Sequence, residues 1–329
     1  MKKLILFFAA IFTLAACSND FELTEDWKDI TVVYGLLNQG DSVQYIRIEK
    51  AFLDPTTSAI TIAQIADSLY YENIEVELRE FRPNGGGGSV YQLQRVNAED
   101  EGFTREDGVF ATSPNYLYKL NQAVNEEYTY SLVITKADGS EVTAETRICE
   151  DFELTSPAEF ITSLRFEAGQ ETTFRWNSKT NTKFYNFKIL FNYREAPNAS
   201  SPFVNKTLVW EIEEISKPNT TSLVRVSTMG ESFYQFVAAE LEPGYIRQFE
   251  SINLEIGAGA KDLLNYLEIG QINSGITGSD VIPTYSNISD GGFGLFSSRY
   301  YKKIPTDYDL NGPTLDSLKL GYRTNDLGF

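Results

Sequence analysis

Histidine is absent from all 329 residues, and that absence excludes more chemistry than any other feature of the sequence. Ser-His-Asp and Cys-His nucleophiles, His general bases and His-ligated zinc or haem all need an imidazole that this chain does not supply. Cysteine is nearly absent, with Cys17 and Cys149 the two in the chain. Methionine is as scarce, at 2 against 19 Tyr and 22 Phe, a balance that favours strands over helical bundles. Positive charge is short as well: 28 Lys and Arg face 46 Asp and Glu, a formal net charge of −18. Nucleic acid and anionic lipid surfaces would repel such a chain, so neither is expected as a partner. The acidic excess reads as a solvated surface, because steering of cations needs a cleft that sequence does not reveal.

A long apolar run occurs only at the start. Met1-Lys2-Lys3 precedes thirteen apolar or small residues, Leu4 to Ala16, which end in Leu14-Ala15-Ala16-Cys17. Two lysines, a stretch too short to span a bilayer as a helix and small residues before the cysteine form a bacterial lipoprotein signal. Residues 1–16 are therefore expected to be removed, leaving 313 residues (329 − 16) and a charge of −20 (−18 − 2), since Lys2 and Lys3 leave with them. Cys17 becomes the first mature residue and the site of covalent lipid. At roughly 0.8 kcal/mol per buried methylene, a multi-chain anchor is effectively permanent. With Cys17 acylated, Cys149 has no partner for an intrachain disulfide. It lies in Thr146-Arg147-Ile148-Cys149, with no His or Lys beside it to lower its pKa, and reads as a small buried hydrophobe. Residues 17–28 read as a lipidated tether. Within it, Ser18-Asn19-Asp20-Phe21-Glu22 resembles the surface-export signal of Bacteroidota-type lipoproteins, a serine and acidic residues beside the lipidated cysteine. A solvated polar spacer with no address is the alternative for the same five residues.

The mature length exceeds what one core usually takes, so two domains are expected: 29–150 and 151–329. In the first, Ile30 to Leu37 and Val43 to Phe52 flank the turn cluster Asn38-Gln39-Gly40-Asp41 and predict a hairpin. Ile74, Val76 and Leu78 alternate with Glu75, Glu77 and Arg79, a strand that covers a core on one side. Tyr128, Tyr130, Leu132 and Ile134 repeat that period, and Asp138-Gly139 suits the turn into Glu141 to Ile148. These strands predict a β-sandwich of immunoglobulin or fibronectin type. Thr61 to Tyr70, with Ile62, Ile65, Ala66 and Leu69 at helical spacing, predicts one short crossover helix. Asn84-Gly85-Gly86-Gly87-Gly88-Ser89 lacks the lysine and helix of a phosphate loop and reads as a flexible hairpin tip.

Pro157, after a completed hairpin, places the boundary near Asp151 to Pro157. Beyond it, Thr173 to Trp176 and Phe184 to Tyr193, separated by the polar turn Asn177 to Asn181, predict a second hairpin. Trp176 resembles the core tryptophan of fibronectin-like sandwiches; any buried aromatic would fit as well. The period then becomes helical over Ser232 to Leu241, stopped by Pro243-Gly244, returns to strand at Ile252 to Ile256, and is helical again over Lys261 to Ile269 after a Gly257-Ala258-Gly259 that reads as flexible. The expected fold class is mainly β: two β-sandwich domains, the second with short helical insertions that build a binding surface or cap an edge.

The lipobox, the strand pair Val32-Val33-Tyr34-Gly35-Leu36-Leu37 and Tyr45-Ile46-Arg47-Ile48, and the segment Ser286-Asn287-Ile288-Ser289-Asp290-Gly291-Gly292-Phe293-Gly294-Leu295-Phe296 together resemble a family of Bacteroidota-type lipoproteins that bear a domain of unknown function. Members of that family are often encoded beside TonB-dependent outer-membrane transporters. The resemblance implies an accessory role at the outer membrane beside such a barrel, to which the lipobox adds the lipid anchor and the Ser18–Glu22 signal adds display at the cell surface. It brings no catalytic residues with it. In physical terms the glycines of the last segment permit a tight turn or bulge, and Phe293, Leu295 and Phe296 anchor it to a core.

One segment suggests a metal. Asp307-Tyr308-Asp309-Leu310-Asn311-Gly312 has the alternating oxygen ligands of an EF-hand loop opening, which makes Asp307, Asp309 and Asn311 candidate calcium ligands. Leu318 stands where the bidentate acid belongs and Pro313 follows the glycine, which favours an ordinary Asx-rich turn. Phe329 resembles the terminal aromatic of an outer-membrane barrel, but Asn325 to Gly328 make no lipid-facing strand. An enzyme would have to work through carboxylates alone, and nothing in their spacing singles out an acid and a base. The function expected is that of a non-enzymatic binding or accessory subunit needing no cofactor. A glycan-binding surface lipoprotein and a subunit of an assembly or secretion machine are the alternatives.

Overall fold

Alternation of apolar and polar residues along a strand gives it one core face and one outer face, and in this chain one long sheet uses that rule throughout. The computed structural model describes residues 30–51, 58–216, 223–273 and 284–329. Its elements, in chain order, open with β1 (Ile30–Leu37), β2 (Gln44–Ala51), α1 (Ala59–Ala63), α2 (Ala66–Leu69), β3 (Ile74–Phe81), β4 (Gly87–Gln92), β5 (Gln94–Asn97), β6 (Tyr116–Leu120), β7 (Thr129–Lys136) and β8 (Glu141–Arg147). There follow β9 (Leu154–Ser156), β10 (Ser163–Leu164), β11 (Glu171–Asn177), β12 (Phe184–Ala196), β13 (Val204–Ser216), β14 (Leu223–Met229), α3 (Gly230–Glu240), β15 (Ile246–Gly259), α4 (Lys261–Asn273), β16 (Phe293–Lys303), β17 (Asp309–Leu310) and α5 (Gly312–Leu320). The protein is thus mainly β, with several sheets and few helices.

Eight strands form one sheet in the order β13-β12-β15-β16-β1-β2-β6-β5. A four-stranded sheet, β4-β3-β7-β8, packs on one end of it around Val33, Ile46, Leu78, Leu132 and Phe296. A three-stranded sheet, β14-β11-β9, packs on the other around Trp176, Phe187, Phe191, Val226 and Leu254, with Phe233 of α3 completing that core. Both cores lie on the same face of the long sheet: Phe296 belongs to the first, Tyr300 packs against the second, and the two side chains share one face of β16.

The halves meet at β16, which pairs parallel with β1 (Val32↔Phe293 to Leu37↔Ser298) and antiparallel with β15 (Gly259↔Arg299 to Glu255↔Lys303). Gly294 makes the first pairing possible. Its φ is +113°, and a Cβ there would lie 1.9 Å from the Val33 carbonyl oxygen. On the other edge of β16, before β15 takes over, the Asn287 amide substitutes for a strand: the Phe296 N–H donates to Asn287 Oδ1 (2.9 Å) and Asn287 Nδ2 donates to the Phe296 carbonyl (2.7 Å). Ile288 enters the first core, and Ser289 N donates to the Thr143 carbonyl of β8. The segment is thus structural at Asn287, Ile288, Ser289, Gly294 and Phe296, whereas Phe293, expected to anchor it to a core, is 45% exposed because strand alternation turns it to the outer face, the face on which Leu295 is buried.

The chain passes between the cores along the inner face of β16. Ser298 Oγ accepts from the Cys149 N–H (2.9 Å) and donates to the Arg147 carbonyl (2.7 Å), Lys302 pairs with Asp151 (2.7 Å), and Phe152 meets the Tyr300 ring edge-on.

Three local expectations need correction. Residues 61–70 are not one helix: α1 and α2 are separated at Gln64 and Ile65, and Ile65 is exposed, so its helical spacing marks no core face. β11 and β12 are not a hairpin; β11 pairs with β14 and β9 while β12 pairs with β13 and β15. They face each other across the second core, where Trp176 stacks on Phe187 at 5.9 Å, and burial of those rings outweighs the local turn signal. Gly257 to Gly259 are strand, not flexible linker. A Cβ on Gly259 would lie 2.0 Å from the Phe184 ring, so the glycine serves close approach. The hairpins at 38–41 and 137–140 form as read, and the one read at 84–89 forms with its tip at 82–86, Gly87 to Ser89 opening β4.

Two outcomes follow from the junction at β16. Gly294→Ala must open the β1–β16 pairing or strain its backbone, and is expected to cost roughly 3 kcal/mol or more in a denaturant melt; a loss below about 1 kcal/mol would show that the contact yields cheaply. Burial pushes the Cys149 thiol from 9.0 up to about 11, and burial with the neighbouring Asp151 pushes Tyr300 from 10.0 up to about 12. The unfolded chain therefore loses these protons first, and stability is expected to fall steadily from pH 9 to 12 and to be fully present below pH 9. Melts at stepped pH check the direction.

Candidate binding cleft on the outer face of the sheet

The face of the long sheet opposite the cores carries apolar side chains where β1 and β16 meet. Val32 and Tyr34 of β1 stand beside Phe293 and Leu295 of β16 in parallel register. Such a doubly apolar strand pair needs cover on both sides, and two elements supply it in part. α4 lies along β16, with the Ala260 N–H donating to the Ser298 carbonyl (3.1 Å) and the Leu263 N–H to Ser297 Oγ (3.2 Å). On the other side α1, α2 and the loop before β6 lie over β1 and β2, joined by the Ala111 N–H donating to the Ala63 carbonyl (2.9 Å).

Tyr34 stands in the gap and lines a cavity on either side. Toward α4 is a space of about 210 Å³ bounded by Tyr266, Ile269, Tyr285 and Phe293. Tyr266 meets Tyr34 edge-on at 6.4 Å, and Tyr285 OH donates to Asp262. Toward α1 is a larger space of about 490 Å³, a size usual for small-molecule sites, walled by Val32, Ile60, Leu69, Val109 and Phe110. Ile60, Val109 and Phe110 remain about half exposed, as does Tyr34 at 45%.

The charged side of the larger cavity is a partly buried ion group. Glu49 Oε1 accepts from Arg47 Nη1 and from Arg105 Nη1, each at 3.1 Å. Arg47 Nη1 also reaches Asn115 Oδ1 (2.7 Å), and Arg105 Nη1 reaches Tyr70 OH (3.4 Å) and stacks over Phe110. Lys50 lies at the same wall with its ammonium 5.9 Å from the Tyr71 ring centre. Burial, then Tyr266, then the Glu49 charge hold the Tyr34 phenol above its ordinary pKa. Among the described residues Glu49 is the sole carboxylate of this cavity and both its arginines hold it as an acceptor, so the arrangement offers apolar surface and positive charge without a proton-transfer pair.

The sequence-predicted site residues lie elsewhere. Cys17 and Ser18, Asn19, Asp20, Phe21 and Glu22 lie outside the described residues. Asp307, Asp309 and Asn311 are engaged separately: Asp307 accepts from Asn253 Nδ2 (2.6 Å), Asp309 from the Leu310 N–H (2.7 Å), and Asn311 caps α5 by accepting from the Thr314 N–H (3.2 Å) while donating to Glu167. Among the described residues no group of three or more His, Cys, Asp and Glu is placed to hold a metal ion. Trp210 is half-buried, stacked on Phe236 at 5.3 Å against the second core. Cys149 is free and fully buried, and Phe329 packs on Phe191 and Tyr193. Sequence reasoning missed the cleft. Its available signal was the run Ile30, Val32, Tyr34, Leu36, apolar on the face that a one-sided sandwich strand leaves to water.

With the geometry in place, comparison adds a family. The model of DUF4249, a domain of unknown function, matches residues 19–303, which end at the last residue of β16. No curated protein matches the chain in sequence. Among solved structures, trypsin-activated alpha-2-macroglobulin from Escherichia coli is similar over 71% of this chain and 14% of its own, at 12% identity and a TM-score of 0.17. CBD12 from CALX1.2 is similar over 83% of this chain and 100% of its own, at 8% identity and a TM-score of 0.15. The chain thus spans a small part of the macroglobulin, and scores this low bear on neither fold nor function.

The separate engagement of Asp307, Asp309 and Asn311 predicts that neither millimolar calcium nor a chelator moves the thermal midpoint. A rise with calcium that Asp309→Asn removes would restore the loop as a metal site.

Proposed function

The chain belongs to the DUF4249 family, and from that premise we propose that it is a lipid-anchored outer-membrane protein, displayed at the cell surface, that serves a TonB-dependent barrel as a non-enzymatic binding subunit. The observation that carries this reading is the incompletely covered apolar cleft around Tyr34, where Ile60, Val109, Phe110 and Phe293 also stand exposed. Exposed apolar surface of this kind, rimmed by charge, is what a binding face keeps open. The lipobox ending at Cys17 supplies the anchor, and the acidic tether supports surface display. A chain of charge −18 is kept from anionic lipid headgroups by repulsion, which favours a protein or small-molecule partner over the membrane plane itself. The absence of histidine and the pairing of Glu49 with two arginines support a binding role over hydrolysis.

Affinity purification of the tagged full chain from native membranes in mild detergent, followed by mass spectrometry, tests the partner. A stoichiometric TonB-dependent barrel is expected, and Cys17→Ala is expected to abolish its recovery together with the lipid. Recovery of the wild-type chain alone would sink the accessory reading.

A further inference from the structure

We propose that the larger cavity beside Tyr34 binds a carboxylate with an apolar body. The inference rests on the reading of this cleft as the binding face, and it adds the chemical class of the ligand. Three observations carry it.

First, the walls are apolar and unfinished. Val32, Tyr34, Ile60, Val109 and Phe110 enclose about 490 Å³, and four of those side chains keep roughly half of their surface. An apolar ligand body would cover that area, with a gain proportional to what leaves water.

Second, the sign of the charge is fixed. In a chain of −18, the described residues lining this cavity set Arg47, Lys50 and Arg105 against the single carboxylate Glu49. The Arg47–Glu49–Arg105 group carries a net charge of +1 and Lys50 at the same wall raises the cavity to +2, so the pocket favours an anion over a neutral or cationic ligand.

Third, the donors are oriented. Both guanidiniums are held through a single nitrogen, Nη1, by Glu49, Asn115 and Tyr70. Among the described residues the bonds of Arg47 and Arg105 leave Nε and Nη2 of both side chains for another acceptor. A planar guanidinium edge fixed in this way matches a carboxylate, and side chains that are 25% and 18% exposed are partly shielded from water. Glu49 then acts as a positioning residue that holds the two arginines together, and the ligand carboxylate takes the donors Glu49 does not use.

The test is direct binding to the purified full chain in lipid nanodiscs, titrated by calorimetry with 2-naphthoate and with its neutral analogue 2-naphthamide, using empty nanodiscs as the blank. Saturable one-to-one binding of naphthoate is expected, with naphthamide at least about tenfold weaker, the scale of one charge-assisted hydrogen bond. Arg105→Gln is expected to weaken naphthoate by a similar factor and leave naphthamide unchanged, while Arg105→Lys restores part of the loss. Phe110→Ala is expected to weaken both probes alike. A thermal melt of each variant confirms that it is folded. Equal binding of the two probes, an unchanged affinity in folded Arg105→Gln, or no saturable binding to the wild-type chain would each overturn the proposal. Because no barrel is present, loss of the transporter reading would leave this result standing, and failure here would leave the partner experiment untouched.

Discussion

The parallel pairing of β1 with β16 is the contact on which the rest of the structure depends. It joins strands about 260 residues apart in sequence, and a parallel pair always needs a long connection to close it. Here that connection is almost the whole protein. Gly294 permits the approach of the two backbones, Asn287 completes the hydrogen bonds of Phe296 on the far edge, and Ser298 and Lys302 hold the passage from one core to the other. Each half has its own opposing sheet and its own aromatic filling, yet both rest on one face of one eight-stranded sheet. The loop-closure entropy of that join is offset only when both halves are in place, so the two halves are expected to open as one unit.

The same pairing creates the candidate site. A strand at the centre of a sheet that is covered on both faces carries apolar side chains on both, and β1 and β16 do so at Val32, Tyr34, Phe293 and Leu295. The cores cover one face fully. On the other, α4 and the α1–α2 segment come in from opposite sides and stop short of each other, leaving Tyr34 between two cavities. The cleft is thus a consequence of how the long sheet is assembled, and its charge comes from β2, whose outward residues Arg47 and Glu49 would on a freely exposed strand be an ordinary surface pair worth little. Arg105, brought over by the loop before β6, turns that pair into a shielded group with a net positive charge.

Much of this was legible in the sequence, and what was not follows a pattern. Period-two alternation marks β3, β7 and β8, and turn chemistry marks their hairpins, because both signals are local. The glycine-rich segment was recognisable as backbone geometry, and the burial of Trp176 and Cys149 followed from residue type. Pairing between distant strands leaves no comparable trace: nothing in the spacing of Val32 to Leu37 names Phe293 to Ser298 as neighbours. Local signals also mislead when tertiary burial wins, as where the polar turn at 177–181 promised a hairpin and the rings of Trp176 and Phe187 stack across the core instead. The arginine–glutamate group was illegible for the same reason, since Arg47 and Glu49 lie 56 to 58 positions from Arg105 and no motif links them.

The measurement that bears most directly on the join is native-state hydrogen exchange, read by mass spectrometry on peptides covering β1 and β16. If the shared sheet makes the two halves one cooperative unit, amides of Val33 to Leu37 and Leu295 to Ser298 exchange only by global unfolding, with the same free energy as the strands of either core. Exchange of those amides through a separate, lower-energy opening, while β7 and β12 stay protected, would contradict the account and make the halves independent modules that merely touch.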